Sequence, residues 1–217
     1  MERFQNRYQA GQLLSEKLKH YANRNDVIVL ALPRGGVPVA AMIAKELHAS
    51  LDVMIVRKLG VPGHEELAFG ALASNGVKVY NKDLLKQLFW LTSEQIDSVI
   101  AKEEKELIRR NKTYRGDNPF PLIRDKIVIL VDDGIATGAS MRAAVMAVRQ
   151  ENPKKIIIAV PVAPLDTSSV LTKLVDDYVC LLTPIDFSAV GLWYDDFSQT
   201  EDDEVILLLR DFMAGVS

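Results

Sequence analysis

Cysteine is nearly absent from this chain. The single one in 217 residues, Cys180, has no partner for an intramolecular disulfide. A disulfide scaffold is excluded, and a reducing compartment is expected. No apolar run approaches the ~20 residues that a membrane helix needs. Residues 1–26 hold no apolar core of signal-peptide length, so a cytoplasmic protein with no membrane partner is expected. Neither charge dominates: 26 basic against 29 acidic residues leave a net charge of −3. That balance argues against a whole-surface preference for nucleic acid or anionic lipid, although a local basic patch survives it. No repeat and no low-complexity segment occurs. There is no G-x-G-x-x-G after a strand and no G-x-x-x-x-G-K-[ST], so a Rossmann dinucleotide site and a P-loop lose their required residues. A hydrolase would need a nucleophile elbow, and none is found.

What is present reads as an α/β protein. Hydrophobic residues make up 48% and charged residues 25%, ordinary for a globular chain. The length suits one domain, or a domain with an appendage, at about 150 residues per domain. Short apolar runs alternate with helix-length amphipathic stretches. Residues 3–21 have helical spacing. Strands are expected at Val27–Leu32, Asp52–Val56, Lys126–Val131, Lys155–Val160 and Tyr178–Leu182. Helices are expected at Val37–Leu47, Ser140–Gln150, Thr167–Leu174 and Asp202–Phe212. Residues 58–66 read as a Gly/Pro loop. Asn75-Gly76 predicts a hairpin between Phe69–Ala73 and Val77–Tyr80. Residues 81–121 break the alternation as a helical insert, with helices at Lys82–Phe89 and Ser93–Asn111. Thr92 and Gln95 have capping-box spacing for the second. Arg109, Arg110 and Arg115 read as solvated. The alternation predicts a mostly parallel twisted sheet flanked by helices, with ligands beyond the carboxyl ends of the strands.

Four segments at those ends carry chemistry. The first is Val128–Ser140, VILVDDGIATGAS. A buried strand leads to two acids, then to a small-residue loop that opens a helix. Free N–H groups at a helix start can bind phosphate. Gly138 permits close approach, and Thr137 and Ser140 offer hydroxyls. Asp132 and Asp133 could accept hydrogen bonds from sugar hydroxyls or hold a hydrated Mg²⁺. The second is Leu32–Gly36, LPRGG. Arg34 brings a phosphate-matched fork. Gly35 and Gly36 permit an unusual backbone and close approach of N–H groups to an anion. The third is the cation pair Arg57-Lys58, with His64, Glu65 and Glu66 behind it, able to close over a polyanion or transfer a proton. The fourth is Thr183–Phe197, where Phe187, Trp193, Tyr194 and Phe197 either form a satellite core or offer a stacking face.

VILVDDGIATGAS resembles, position for position, the phosphoribosyl-pyrophosphate (PRPP) motif of type I phosphoribosyltransferases. The other segments, VRKLGVPGHEELAFGA, VPVAP and TPxxFxAVGxWYxDF among them, resemble bacterial members with no assigned base. The resemblance covers about residues 25–183. It implies one phosphoribosyltransferase-like domain over 1–217, with a C-terminal hood at about 184–200. It implies that Asp132 and Asp133 hold the ribose, with Mg²⁺ bound there directly or through water. Ala136, Thr137, Gly138, Ala139 and Ser140 would bind the 5-phosphate. Arg34, Gly35, Gly36 and Lys58 would bind pyrophosphate, in a loop that often holds a non-proline cis peptide. Arg57, Lys58, Glu65 and Asp133 would be catalytic, and Phe187, Trp193 and Tyr194 would meet the base. The expected activity is transfer of ribose 5-phosphate from PRPP to a small nitrogenous base. A PRPP-sensing or RNA-binding regulator on the same fold is the alternative. Dimers are common in the family, so a homodimer is expected.

Overall fold

In the computed structural model, the described residues are 3–213, the side chains of Glu65, Glu66 and Met213 excepted. Five strands, β1 (Val27–Ala31), β2 (Ser50–Val53), β6 (Ile127–Val131), β7 (Lys155–Val162) and β8 (Asp177–Leu182), form one parallel sheet in the order β2-β1-β6-β7-β8. Val29 of β1 pairs with Leu51 on one side and Ile129 on the other. All five residues of β1 and of β6 are buried, which explains why both read as unbroken apolar runs.

Helices cover both faces. Leu14 and Leu18 of α1 (Arg7–Leu18), Ile43 and Leu47 of α2 (Gly36–Leu47) and Val205 and Leu209 of α7 (Asp202–Met213) pack with Val29, Ile129 and Ile157. On the other face, Met141, Val145 and Val148 of α5 (Ala139–Arg149) and Leu171 of α6 (Leu165–Leu171) pack with Ile28, Leu130 and Ile158. Burying one such side chain contributes about 1.5–3 kcal/mol.

A second sheet is antiparallel, in the order β3-β4-β5, from β3 (Val56–Val61), β4 (His64–Ala73) and β5 (Lys78–Tyr80). It corrects two expectations. The apolar run at 52–56 is split between β2 and β3. Residues 58–66 are a hairpin and not an irregular loop: Arg57 and Lys58 sit inside β3, opposite Leu72 and Ala71. Pro62-Gly63 makes the turn, with Gly63 at φ +79°, the conformation that glycine favours. The hairpin is held because Leu59, Val61, Phe69 and Leu72 face a cluster that includes Leu88, Leu91 and Ile96. The expected β4–β5 hairpin around Asn75-Gly76 is present.

The insert forms α3 (Lys82–Gln87) and α4 (Ser93–Arg115). The Thr92–Gln95 capping box is made in both directions, at 3.2 and 3.0 Å. Arg115 is buried, contrary to expectation. Its Nε donates to both oxygens of Asp52 at 2.9 and 3.1 Å, and its Nη atoms reach Asn111 and the Val53 carbonyl. This pair fastens the end of α4 to β2. Near the C-terminal end, Tyr194 pairs as a β-bridge with Phe4, and the Asp195 N–H donates to the Phe4 carbonyl. The segment around Tyr194 is therefore joined to the residues just before α1. No helix among the described residues is long and apolar enough to cross a membrane.

Candidate functional site

The sheet reverses its strand order between β1 and β6, because the chain runs from β1 to β2 on one side and resumes at β6 on the other. At such a switch point the loops diverge and leave a crevice. Two of the sequence segments meet there. Leu32–Gly36 leaves β1, and Asp132–Ser140 leaves β6. The Leu32 N–H donates to the Val131 carbonyl at 2.8 Å, so the two loops start in register.

The Pro33–Arg34 peptide is cis. Gly35 has φ −58° and ψ −30°, an ordinary helical conformation. The expectation of an unusual backbone at Gly35 is corrected: what requires glycine is close approach. A Cβ on Gly35 would lie 2.0 Å from Asp133 Oδ2, and one on Gly36 would lie 2.8 Å from the Val131 carbonyl oxygen.

Asp132 is half-buried, and its Oδ1 accepts the Asp133 N–H at 2.9 Å. With Leu32, Pro33, Met54, Ser140 and Arg110 it lines a cavity of about 90 Å³. Burial, and then the neighbouring Asp133 charge, pushes the Asp132 carboxyl well above the ordinary carboxylate range. Burial also raises Asp133, while the Arg7 guanidinium opposes that rise.

Arg7 has no counterpart among the sequence expectations. Its Nε and Nη2 both lie 2.8 Å from Asp133 Oδ2, with side-chain exposures of 10% for Arg7 and 15% for Asp133. Its Nη1 donates to the Ser198 carbonyl at 2.7 Å, and its guanidinium lies 3.9 Å from the Phe197 ring centroid. Asn6 caps α1 just before it, accepting the Gln9 N–H at 2.9 Å. Nothing local in the sequence distinguishes Arg7 from a solvated arginine. Arg110 corrects the expectation of a solvated side chain: it reaches the cavity beside Asp132 and Ser140 because α4 folds back. Its Nε donates to Glu106 Oε1 at 2.7 Å.

The loop Ala136–Ser140 runs into α5. Gly138 is the N-cap, at φ +73°, with no side-chain cap. The first backbone bond of the helix is Arg142 N–H to the Gly138 carbonyl at 2.9 Å, so Ser140 and Met141 N–H lie in the turn that lacks intrahelical acceptors. Ala136, Thr137 and Ser140 are exposed. Thr167 Oγ1 donates to the Ala136 carbonyl at 2.9 Å and fixes the loop.

The other expected residues lie apart from this crevice or turn away from it. Arg34 Nη1 is 3.6 Å from both Glu201 and Asp202 at the start of α7. Arg57 is ion-paired to Glu103 of α4 at 2.6 Å. Lys58 lines a separate cavity with Ala139 and Arg142. The Glu65 side chain falls outside the described residues. Tyr194 does not offer a stacking face. It is 4% exposed, packs against Phe4 and Phe197, and its hydroxyl donates to the Asp133 carbonyl at 2.6 Å. It belongs to a satellite core, with Phe187 and Trp193 half-buried at the edge.

The described residues hold no group of three or more His, Cys, Asp or Glu side chains able to bind a metal. The adjacent carboxylates of Asp132 and Asp133 are hard oxygen donors of the kind that suit Mg²⁺, which commonly takes one or two carboxylates and completes its shell from substrate phosphates and water. The donor set fits an ion shared with a phosphate ligand.

A model of the phosphoribosyl transferase domain family matches residues 2–196. Two curated relatives from Mycobacterium tuberculosis, strains CDC 1551 and H37Rv, are each named provisionally as a phosphoribosyl transferase. Each is 45% identical over 98% of this chain. The chain spans about half the length of these relatives, 48% of each. The crystal structure of TT1426 from Thermus thermophilus is similar, at 38% identity and a TM-score of 0.86, over 97% of this chain and 99% of that one. AQ2163 from Aquifex aeolicus shares the fold at 12% identity and a TM-score of 0.52, over 85% of this chain and 78% of that one. With the family model covering most of its length, this chain belongs to the phosphoribosyl transferase domain family.

Proposed function

We propose that the chain is an Mg²⁺-dependent phosphoribosyltransferase that moves ribose 5-phosphate from PRPP to a nitrogen of a small base and releases pyrophosphate. The observation that carries this reading is the meeting of a glycine loop, two adjacent carboxylates and a helix-start loop at one switch point. A ribose bearing phosphates at both ends needs those three features together.

In this reading, Ala136–Ser140 hold the 5-phosphate with helix-start N–H groups and the Thr137 and Ser140 hydroxyls. Asp132 accepts from the ribose hydroxyls, and Asp133, held by Arg7, sets the wall behind it. Gly35 and Gly36 let the loop backbone approach pyrophosphate, and Arg34 and Lys58 become its cations once their side chains swing from the positions described above towards the crevice. Arg110 adds a guanidinium on the cavity side. The bond from the sugar C1 to the pyrophosphate oxygen breaks with its electron pair leaving on pyrophosphate. The sugar becomes oxocarbenium-like, and the base nitrogen supplies the pair for the new bond and then loses its proton to water. Arg34 and Lys58 stabilise the leaving charge. Asp133, paired with Arg7, places negative potential beside the cationic sugar, and a cation beside Asp132 favours its ionised form and adds to that potential. Asp132 and Asp133 would hold Mg²⁺, which would supply further charge neutralisation for the leaving group. Phe187 and Trp193 are hood aromatics that retain exposed surface for a base.

Titration calorimetry with PRPP and Mg²⁺ tests the binding step. The expected result is 1:1 binding, weakened tenfold or more in Asp132→Asn. Absence of heat at millimolar PRPP, or unchanged affinity in the variant, overturns the reading. A pyrophosphate-release assay with adenine, guanine, hypoxanthine, xanthine, uracil, orotate and nicotinate tests the chemistry. Release with one base names the substrate. PRPP binding with silence across all seven replaces the enzyme by a PRPP-responsive regulator.

A further inference from the structure

The parallel sheet ends differently on its two sides. At β2, Arg115 of α4 donates to Asp52 and to the Val53 carbonyl, so that edge is covered. At the other edge, β8 pairs with β7 alone. Along a strand, backbone groups point alternately to one neighbour and the other. The Leu182 carbonyl accepts the Ala163 N–H at 3.1 Å, which turns Leu182, Cys180 and Tyr178 towards β7. The backbone groups of Asp177, Val179 and Leu181 therefore face outward, and no other strand among the described residues pairs with them. All six residues of β8 are half-buried. Unpaired backbone groups at such an edge cost free energy, and a row of them is a template for another strand.

β8 lacks the devices that usually blunt an edge. Its sequence, DYVCLL, holds no Lys, Pro or Gly. Its register with β7 keeps one offset from Asp177 to Leu182, without a bulge. Its one charge, Asp177, stands at the first position, where its carboxylate accepts from the Tyr178 N–H at 2.8 Å and the Tyr21 hydroxyl at 3.4 Å.

The outward groups are symmetric about Val179. A second β8, antiparallel across a two-fold axis at Val179, sets Asp177 opposite Leu181, Val179 opposite Val179 and Leu181 opposite Asp177. Each opposed pair exchanges both of its bonds, about six along the seam. No acid meets an acid. The ends of β8 are complementary as well. Lys173 and Leu174 precede it, Ile185 and Asp186 follow it, and all four are exposed. Neither Lys173 nor Asp186 has an ion pair among the described residues. Antiparallel pairing lays the first end of each copy beside the second end of the other, which brings Lys173 to Asp186 and Leu174 to Ile185 twice.

We propose that β8 is the seam of a homodimer, in which two copies join their parallel sheets edge to edge. The occupant is a second copy because the free backbone groups and the charged ends complement themselves under one two-fold axis. The seam does not depend on the transferase reading, since none of these residues belongs to the crevice.

Sedimentation equilibrium of the full chain tests it. The expected result is a dimer with a micromolar or tighter dissociation constant. Val179→Pro removes an N–H that faces only the seam, a change that edge strands accept, and should weaken the dimer about tenfold or more. Lys173→Glu should weaken it about fivefold, and adding Asp186→Lys should restore it to within about twofold. Both of these side chains are exposed, and far-ultraviolet circular dichroism checks that the variants remain folded. In this register Tyr178 lies opposite Cys180 of the second copy, with Cα atoms about 4.5 Å apart, within disulfide reach. Folded Tyr178→Cys should therefore give a covalent dimer on mild oxidation, and Cys180→Ser should abolish it. A monomer at every concentration up to millimolar, a dimer unchanged by Val179→Pro, failure of the charge exchange to restore affinity, or no covalent dimer from folded Tyr178→Cys would each overturn the proposal.

Discussion

Replacing Arg7 by methionine removes a buried cation from a largely buried acid. Arg7 and Asp133 are 10% and 15% exposed, and two guanidinium nitrogens lie 2.8 Å from Asp133 Oδ2. Breaking a buried pair on one side costs about 3–5 kcal/mol, because the remaining charge stays desolvated. Asp133 retains some contact with solvent, which favours the lower end, about 3 kcal/mol. The bond to the Ser198 carbonyl and the contact with Phe197 are lost in the same step, so they belong to that figure and are not added to it. For a chain of this size, about 3 kcal/mol lowers Tm by roughly 6–12 °C. Urea denaturation and calorimetry of Arg7→Met measure this. A rescue has a definite sign. Asp133→Asn in the Arg7→Met background removes the unpaired charge and should recover at least half of the lost stability. A single-variant loss below about 1 kcal/mol, or a double variant weaker than the single one, refutes the account of Arg7 as the counter-charge of Asp133.

Three further outcomes follow from the same geometry. Gly35→Ala places a Cβ 2.0 Å from Asp133 Oδ2, so the loop or the carboxylate must move. PRPP affinity measured by calorimetry should fall tenfold or more, and unchanged affinity counts against the loop's role. Arg115→Met leaves Asp52 unpaired beneath α4 and should cost about 3–5 kcal/mol in urea denaturation, whereas pairing it with Asp52→Leu should recover most of that loss. Tyr8 and Tyr114 are each pushed up to about 12, first by burial and then by hydrogen bonds to Glu204 and Asp202. Their folded pKa values exceed the unfolded value of about 10, so their contribution is complete below pH ~10 and is lost as pH rises towards ~12. Stability should fall across that window, and Tyr8→Phe with Tyr114→Phe should flatten the fall.

Local pattern makes part of this molecule legible in the sequence, and distance along the chain hides the rest. β1 and β6 announce themselves because each is five consecutive buried residues between two helix-covered faces. The loop of Asp132–Ser140 is legible for the same reason: strand, acids, small residues and helix start are contiguous, so their chemistry can be read without knowing the fold. The β3–β4 hairpin is hidden because two charged residues, Arg57 and Lys58, occupy strand positions, and Pro62-Gly63 reads equally as a loop or a turn. What decides between them is the apolar face of Leu59, Phe69 and Leu72, which is recognisable only once α3 and α4 cover it. Arg115 and Arg7 are hidden for a different reason. A charged residue looks solvated until its partner is known, and the partners are Asp52 and Asp133, at sequence separations of 63 and 126. Tyr194 shows the converse, an aromatic that reads as a recognition face but spends its ring on Phe4 and its hydroxyl on a backbone carbonyl. These failures share a cause. The segments that present groups to the crevice are local in sequence, but the side chains that fix those groups in place come from α1, α4 and the hood. The N-terminal helix, the segment with the least motif content, thus supplies the counter-charge for an acid on the most motif-rich one. An exchange of the Asp132–Ser140 loop into a related sheet without Arg7, Tyr194 and Phe197 would carry over the backbone groups and leave Asp133 without the contacts that hold it.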